Sequence, residues 1–307
     1  MQTLKTKNTR KLSDVKMAKS KPIIFVLFII VVASLGFNVY QWNTNLTVTQ
    51  QRDDFFTRQQ MLNQLTHSQT NVNEQLANLD SSLQIACLKL STTGLDGAQA
   101  RTILSELFAN NTLIVNAATS DTNDILVAVE PSNYSSIQGE DISRQLQNVQ
   151  MHQTMRPAMS DMINLVEGFP GIVMVAPIFD SNDKFIGSLS IVIQPSLLIK
   201  WSIMTPPEDA EQYSMWAMQT NGTLIYDPDP QQQGRNLLTD PIYTNYTEVQ
   251  TFTRQVAGAQ SGFGTYQYYN TNLDNTSKQI VRKEAYWTTI GIYGTEWRLV
   301  IVHAVNP

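Results

Sequence analysis

The stretch Gly171–Ile193, GIVMVAPIFDSNDKFIGSLSIVI, holds two β-branched apolar runs joined by Asp180-Ser181-Asn182-Asp183. An apolar run, a polar turn and a second apolar run predict two adjacent antiparallel strands with a solvated tip. Pro177 falls in the first run, which suits a strand end or an edge, because proline has no N–H for a ladder. The pattern recurs at Tyr213–Tyr226, YSMWAMQTNGTLIY, where Asn221-Gly222 supplies the turn. Two such hairpins predict two small sheet domains in series.

Working outward, residues 43–92 contain no Gly or Pro. Steps of three and four give Phe55, Arg58, Leu62, Leu65, Gln69, Val72, Leu76, Leu79, Leu83, Ala86 and Leu90, a long stripe of helical period. Thr93-Gly94 closes it. Two readings stay open: a helix that packs its stripe on its own domains, and a coiled coil that holds a homodimer. Residues 97–109 predict a short amphipathic helix, and 113–117 and 124–130 predict strands. Helix is expected from Gly139 to Met155, ended by Pro157, and again over Ser160–Val166. Thr205-Pro206-Pro207-Glu208-Asp209 marks the domain boundary. Beyond it come the Asn-Gly hairpin, a helix near 246–257, and strands at 264–269, 279–293 and 297–302.

Charge is unevenly spread. Residues 1–21 carry seven Lys/Arg and one acid, whereas residues 22–307 carry 14 basic and 25 acidic side chains. The acidic body repels phosphate backbones, which argues against nucleic acid as a partner. The basic head runs into the uncharged apolar segment Pro22–Phe37, followed by Tyr40 and Trp42. That arrangement predicts a single-pass membrane span over 22–42, N-terminus in the cytoplasm and the bulk outside the cell; the rival reading is a signal peptide cut after Ala33. Cys87 is the single cysteine, so no intrachain disulfide forms. Six N-x-[ST] sequons, at Asn45, Asn110, Asn133, Asn221, Asn245 and Asn275, all lie beyond the span and suggest a glycoprotein.

A long helix leaving a membrane span, then two sheet units, resembles the double-Cache family of extracytoplasmic sensor modules, which are tandem PAS-like folds. The residues that carry the resemblance are Gly139-Glu-Asp-Ile-Ser143, Pro177-Ile-Phe-Asp180 and Lys184-Phe-Ile-Gly187 in the first unit. In the second they are Asn221-Gly-Thr-Leu-Ile-Tyr-Asp-Pro228, Gly234-Arg-Asn-Leu-Leu238, Ser261-Gly-Phe-Gly-Thr-Tyr266, Ala285-Tyr-Trp-Thr-Thr289 and Glu296-Trp-Arg-Leu299. The resemblance spans residues 43–304 and is strongest in the second unit. It implies an α+β fold: a basic tail (1–21), a membrane anchor (22–42), a long helix (43–92), a membrane-distal Cache domain (93–205) and a membrane-proximal one (206–307). It also implies a small-molecule sensor with its ligand in the first unit, the Gly171–Ile193 hairpin as one pocket wall and residues 134–170 as lid. Receptors of the family usually continue into a cytoplasmic output domain; a chain with only a basic tail inside would signal through a membrane partner.

Candidate ligand-binding residues follow from that lid. Arg144 and Arg156 suit a carboxylate through bidentate hydrogen bonds, although arginine on a helix surface is commonly just solvated. Tyr134, Glu167 and Asp180 are secondary candidates. Amino-acid-binding members carry an Arg-x-Trp-Tyr element and a strand aspartate. Here Arg144-Gln145-Leu146-Gln147 keeps only the arginine and Val192 stands in the aspartate's place, which argues against an amino-acid ligand.

Met151, Met155, Met159, Met162 and Met174 with His152 have the donor types for Cu(I), but an adaptable apolar lining is the simpler reading. Asp180–Lys184 fails as a calcium loop because Lys184 takes a ligand position. No metal or cofactor is expected. His67, His152 and His303 are scattered and no nucleophile-elbow, zincin or Walker pattern occurs, so an enzyme is not expected. The competing class is a structural or adhesive cell-surface protein dimerised by its long helix.

Overall fold

A computed structural model describes residues 21–203, 213–269 and 280–305, with side chains from residue 28 onward. The Thr205–Asp209 boundary, the basic head up to Ser20 and Asn275 lie outside the described residues. The chain divides into two compact units, residues 1–59 and 60–307.

In the first of these, helix α1 (Lys21–Thr93) begins. Phe28 and Trp42 are both 65% exposed, and Ile29–Val32, Leu35, Phe37, Val39 and Tyr40 are exposed as well. Among the described residues no helix is long and apolar enough to cross a membrane. The apolar run opens at Pro22, ahead of the described side chains.

Residues 60–93 of α1 are the spine of the second unit. Met61, Leu65, Ser68, Val72, Leu76, Leu79, Leu83, Ala86 and Leu90 are buried along one face. The packing reading of the stripe therefore holds for this part. Its register begins on Met61, with Leu62 39% exposed on the flank. At a few kcal/mol per fully buried leucine, this face is a main source of stability. Gly94, at φ +86°, ends the helix by donating its N–H to Leu90 O at 2.9 Å.

Helix α2 (Ala98–Asn110) follows, and buries Ala100, Ile103, Leu104 and Leu107. The first sheet contains β1 (Ile114–Ser120), β2 (Leu126–Glu130), β3 (Ala158–Met159), β4 (Ile163–Asn164), β5 (Pro170–Phe179) and β6 (Phe185–Ile193). Its order is β2-β1-β6-β5-β3, with β4 on β5, and every pair is antiparallel. The β5–β6 hairpin is as expected. Pro177 pairs with Ser188 beyond the point where two-residue β3 reaches β5, so its missing N–H leaves no ladder bond unmade.

Two expected helices differ. Residues 139–145 are irregular, because Asp141 bridges to Ile125 and its carboxylate accepts the Ser143 N–H; helix α3 spans only Leu146–Thr154. Residues 160–166 form no helix, because Ile163 and Asn164 pair as a short strand with Gly171 and Pro170, and tertiary pairing overrides local propensity.

After α4 (Pro195–Ser202) comes the second sheet, β8-β7-β11-β10-β9, from β7 (Tyr213–Gln219), β8 (Leu224–Tyr226), β9 (Gly262–Tyr269), β10 (Ile280–Ile292) and β11 (Thr295–Val305). Helix α5 (Thr247–Gly258) covers one face of it, through Val249, Phe252 and Val256. The other face packs on α1, where Tyr213 Oη donates to Gln60 Oε1 (2.9 Å) and Gln69 Nε2 to Thr289 O (2.8 Å). One continuous core joins α1 to Ile172, Met174, Leu189 and Ile191 of the first sheet and to Met215, Trp297, Leu299 and Ile301 of the second.

Candidate functional site

Strand alternation sends Leu189, Ile191 and Ile193 of β6 toward α1, and Ser188, Ser190 and Val192 toward the opposite face. Three cross-strand rows line that face. Asn116, Val192 and Val173 form one; Ala118, Ser190, Val175 and Ala158 form the next; Ser120, Ser188 and Pro177 form the third. Small side chains in the middle row leave ground over which the 131–169 segment lies. Ser120 and Ser188 hydrogen-bond to each other at 2.7 Å, and Asn116 Nδ2 donates to Glu167 Oε1 at 2.7 Å.

Helix α3 closes over β5 and β3 and brings polar groups inward. Gln147 and Asn148 are buried, and Met151 packs with Ala158 and Val175. Asp124, 3% exposed at the β1–β2 turn in a left-handed conformation (φ +61°), meets His152 Nε2 at 2.9 Å through Oδ2. The His152 ring stands edge-on to Phe185, 5.3 Å between centroids. Backbone bonds tie these groups together. Ile142 N donates to Asp124 O, and Asn148 Nδ2 donates to Ile142 O, both at 3.0 Å. Asp124 Oδ1, Gln147 Oε1 and Asn148 Oδ1 are all buried, and none has a hydrogen-bond partner among the described residues. Buried acceptors without donors are rare and costly; three beneath one lid point to a donor that arrives with a ligand or water.

Burial raises the Asp124 carboxyl above its ordinary 3.8, and His152 only partly offsets this. A carboxyl raised in the folded state favours folding in its protonated form, and that contribution is lost as pH rises through the raised pKa. Asp124→Asn should therefore be at its least stable relative to wild type near pH 4 and should gain on wild type toward pH 7. Urea denaturation at the two pH values checks this; a constant difference would assign Asp124 no titration.

The expected site residues separate. Tyr134 is half-buried, packs against the small cluster that contains Ala118, Leu126 and Val129, and has its ring centre 6.4 Å from that of Phe169. Glu167 reaches the floor through Asn116. Arg144 and Arg156 are exposed. Asp180 sits at the hairpin tip, where its Oδ1 accepts the N–H groups of Asn182 (2.8 Å) and Lys184 (3.0 Å), which hold its carboxyl below the usual range. Met151, Met159 and Met174 are buried in two different clusters and Met155 is 44% exposed. Among the described residues no three His, Cys, Asp or Glu side chains gather as a metal site. Asn116, Asp124, Gln147, Asn148, Ser188 and Ser190 were not singled out by sequence. The one available signal was the pair of serines at period two in an otherwise apolar strand. Two open grooves, about 160 Å³ beside α5 and about 290 Å³ beside Thr289–Glu296, lie on the second sheet and hold no orphaned polar group.

A long helix followed by two antiparallel sheets is an architecture that this chain shares with solved chemoreceptor ligand-binding domains. Residues 74–195 match the family described as HK/GC/Chemotaxis protein-like, sensor domain. That match covers the later part of α1 and the first sheet, whereas the residue-level resemblance was strongest around the second sheet.

An extracellular ligand-binding receptor from Desulfohalobium retbaense is 33% identical, with a TM-score of 0.65 over 80% of this chain and 40% of that one. The chain thus spans well under half of that receptor. Methyl-accepting chemotaxis protein X superposes with a TM-score of 0.60 at 11% identity over 83% of this chain and all of its own. The ligand-binding domain of the Pseudomonas fluorescens chemoreceptor CtaA, in complex with L-serine, does so with 0.58 at 11% identity, over 82% of this chain and 98% of that one. The last two show the fold alone. No curated protein matches the sequence.

Proposed function

We propose that this chain is a membrane-anchored extracytoplasmic small-molecule sensor of the double-Cache type, non-enzymatic, with its ligand held between the first sheet and α3. The observation that carries this reading is the trio of buried acceptors without donors on Asp124, Gln147 and Asn148. A ligand satisfying them presents N–H groups, and an amine does so while neutralising Asp124. Glu167, near Asn116, adds a second acidic group. Val192 leaves an apolar wall, 4% exposed, where an amino-acid binder of the family carries an aspartate. Arg144 and Arg156, exposed just before and just after α3, would meet a carboxylate only on a part of the ligand that projects past the helix, and Tyr134 serves as an apolar flank.

Membrane anchoring rests on the uncharged run Pro22–Phe37 behind a basic head, and on the exposed apolar side chains from Phe28 to Trp42, which lipid would cover. Homodimerisation rests on Phe55 and Phe56, 59% and 57% exposed on α1; sedimentation of a Phe55→Ser, Phe56→Ser variant should give monomer where wild type gives dimer. Asn45, Asn110, Asn133, Asn221 and Asn245 are exposed and open to glycosylation.

A thermal-shift screen of the full chain in detergent, against amines, polyamines, amino acids and carboxylates, tests the reading. A ligand present at one hundred times its Kd adds about 2.7 kcal/mol of stability. Amines should produce that shift. Silence across all four classes would remove the sensor reading.

A further inference from the structure

The second sheet holds a buried cation that the first unit's site does not use. Lys283 lies on β10, facing α5's side of the sheet with Ala285 and Trp287, and only 8% of its surface is exposed. Its Nζ stands 5.8 Å from the centre of the Tyr268 ring. It makes no hydrogen bond or ion pair with a described residue. Asp227, just past the end of β8, is the acid whose field reaches it. The Asp227 carboxylate is engaged elsewhere, accepting the Asp229 N–H at 2.8 Å.

Across the ladder Lys283 faces Tyr266 on one side and the small Ala304 on the other. Around Tyr268 stand Tyr246, Tyr269 and Tyr243, with ring centres 5.2, 5.4 and 6.3 Å away. Tyr268 and Asp227 are only half-buried, so the cluster is reached from solvent.

We infer that the second sheet carries a small-anion site of its own, in which the Lys283 ammonium pairs with the carboxylate of a small organic acid whose flat body rests on Tyr268. A desolvated ammonium without an acceptor is unfavourable, and an entering carboxylate supplies both the acceptor and the counter-charge. Tyrosine rings offer their faces and edges to an apolar body while the polar end pairs. Burial lowers the Lys283 pKa and pushes Asp227 up to about 6, as expected of two opposite charges too far apart to neutralise each other. This site is independent of the first unit's reading, whose orphaned groups are acceptors rather than cations.

The experiment is a thermal-shift titration of the full chain in detergent with sodium benzoate, against sodium chloride at equal ionic strength. Wild type should show a saturable rise with benzoate. Lys283→Arg should keep most of it, and Lys283→Met should weaken the half-saturating concentration by roughly 30-fold or more. Lys283→Met removes a buried charge without changing side-chain length much, so its own melting point, read in chloride, separates lost binding from lost folding. No rise in wild type beyond chloride, or an equal rise in a folded Lys283→Met protein, would overturn the site.

Discussion

Gly187→Ala should destabilise the protein by on the order of 3–5 kcal/mol, measured by urea denaturation. Gly187, the third residue of β6, has φ +147°, a conformation that L residues rarely adopt. A methyl group there would stand 2.1 Å from the Ser120 carbonyl oxygen and 2.7 Å from Leu95 Cδ1. The leucine can turn aside, but the carbonyl cannot. Ser120 is fixed to Ser188 by the β1–β6 register and by their paired hydroxyls at 2.7 Å. The clash would push β1 from β6 and spoil the floor on which Asn116, Ser190 and Val175 are aligned. Gly234→Ala separates the two components, since Gly234 has φ +81° with open space around the added methyl. It should lose only the strain part, about 1–2 kcal/mol. Equal losses at the two glycines would mean that close backbone approach at Gly187 is not what shapes this wall.

Leu79→Ala should cost about 2–5 kcal/mol. Leu79 is fully buried in the core that joins α1 to both sheets. Because one core serves both sheets, the variant should unfold them in a single transition at lower urea, not release one before the other. Leu88→Ala, nine residues along the same helix at a position 73% exposed, should stay within about 0.5 kcal/mol of wild type. If Leu88 mattered as much as Leu79, the helix would be burying its other face, as a coiled coil through residues 60–93 would require.

The fold was legible wherever one face of an element is apolar and the other is not. The Gly171–Ile193 hairpin, the Asn221-Gly222 turn and the α1 stripe all announce themselves by period. Met61 was missed in favour of Leu62 because both are apolar neighbours, and only the sheets decide which of the two faces inward. The helix expected over Ser160–Val166 failed because the partners of Ile163 lie on β5, which no local pattern reports.

The candidate site was legible only in outline. Arg144 and Arg156 drew attention as charged groups in a lid, yet burial decides which polar groups are under strain, and both arginines are solvated. Asn148 and Gln147 look like ordinary surface amides in sequence. They become candidates because α3 turns them onto β5 and β3 and leaves their oxygens without donors. Asp227 and Lys283 were hidden for the same reason: 56 residues apart in sequence, they come near only through the second sheet.

The most direct test of ligand binding between the first sheet and α3 is the affinity of one amine, taken from the screen, for wild type and for Asn148→Leu, measured by calorimetry on the full chain. The side chains share one branched skeleton, leucine being the bulkier, and the substitution removes the orphaned oxygen together with its amide. The account predicts a 1:1 complex that weakens by about tenfold or more in the variant, the equivalent of 1.4 kcal/mol. An unchanged affinity in a folded Asn148→Leu protein would contradict it and place the ligand elsewhere on the molecule.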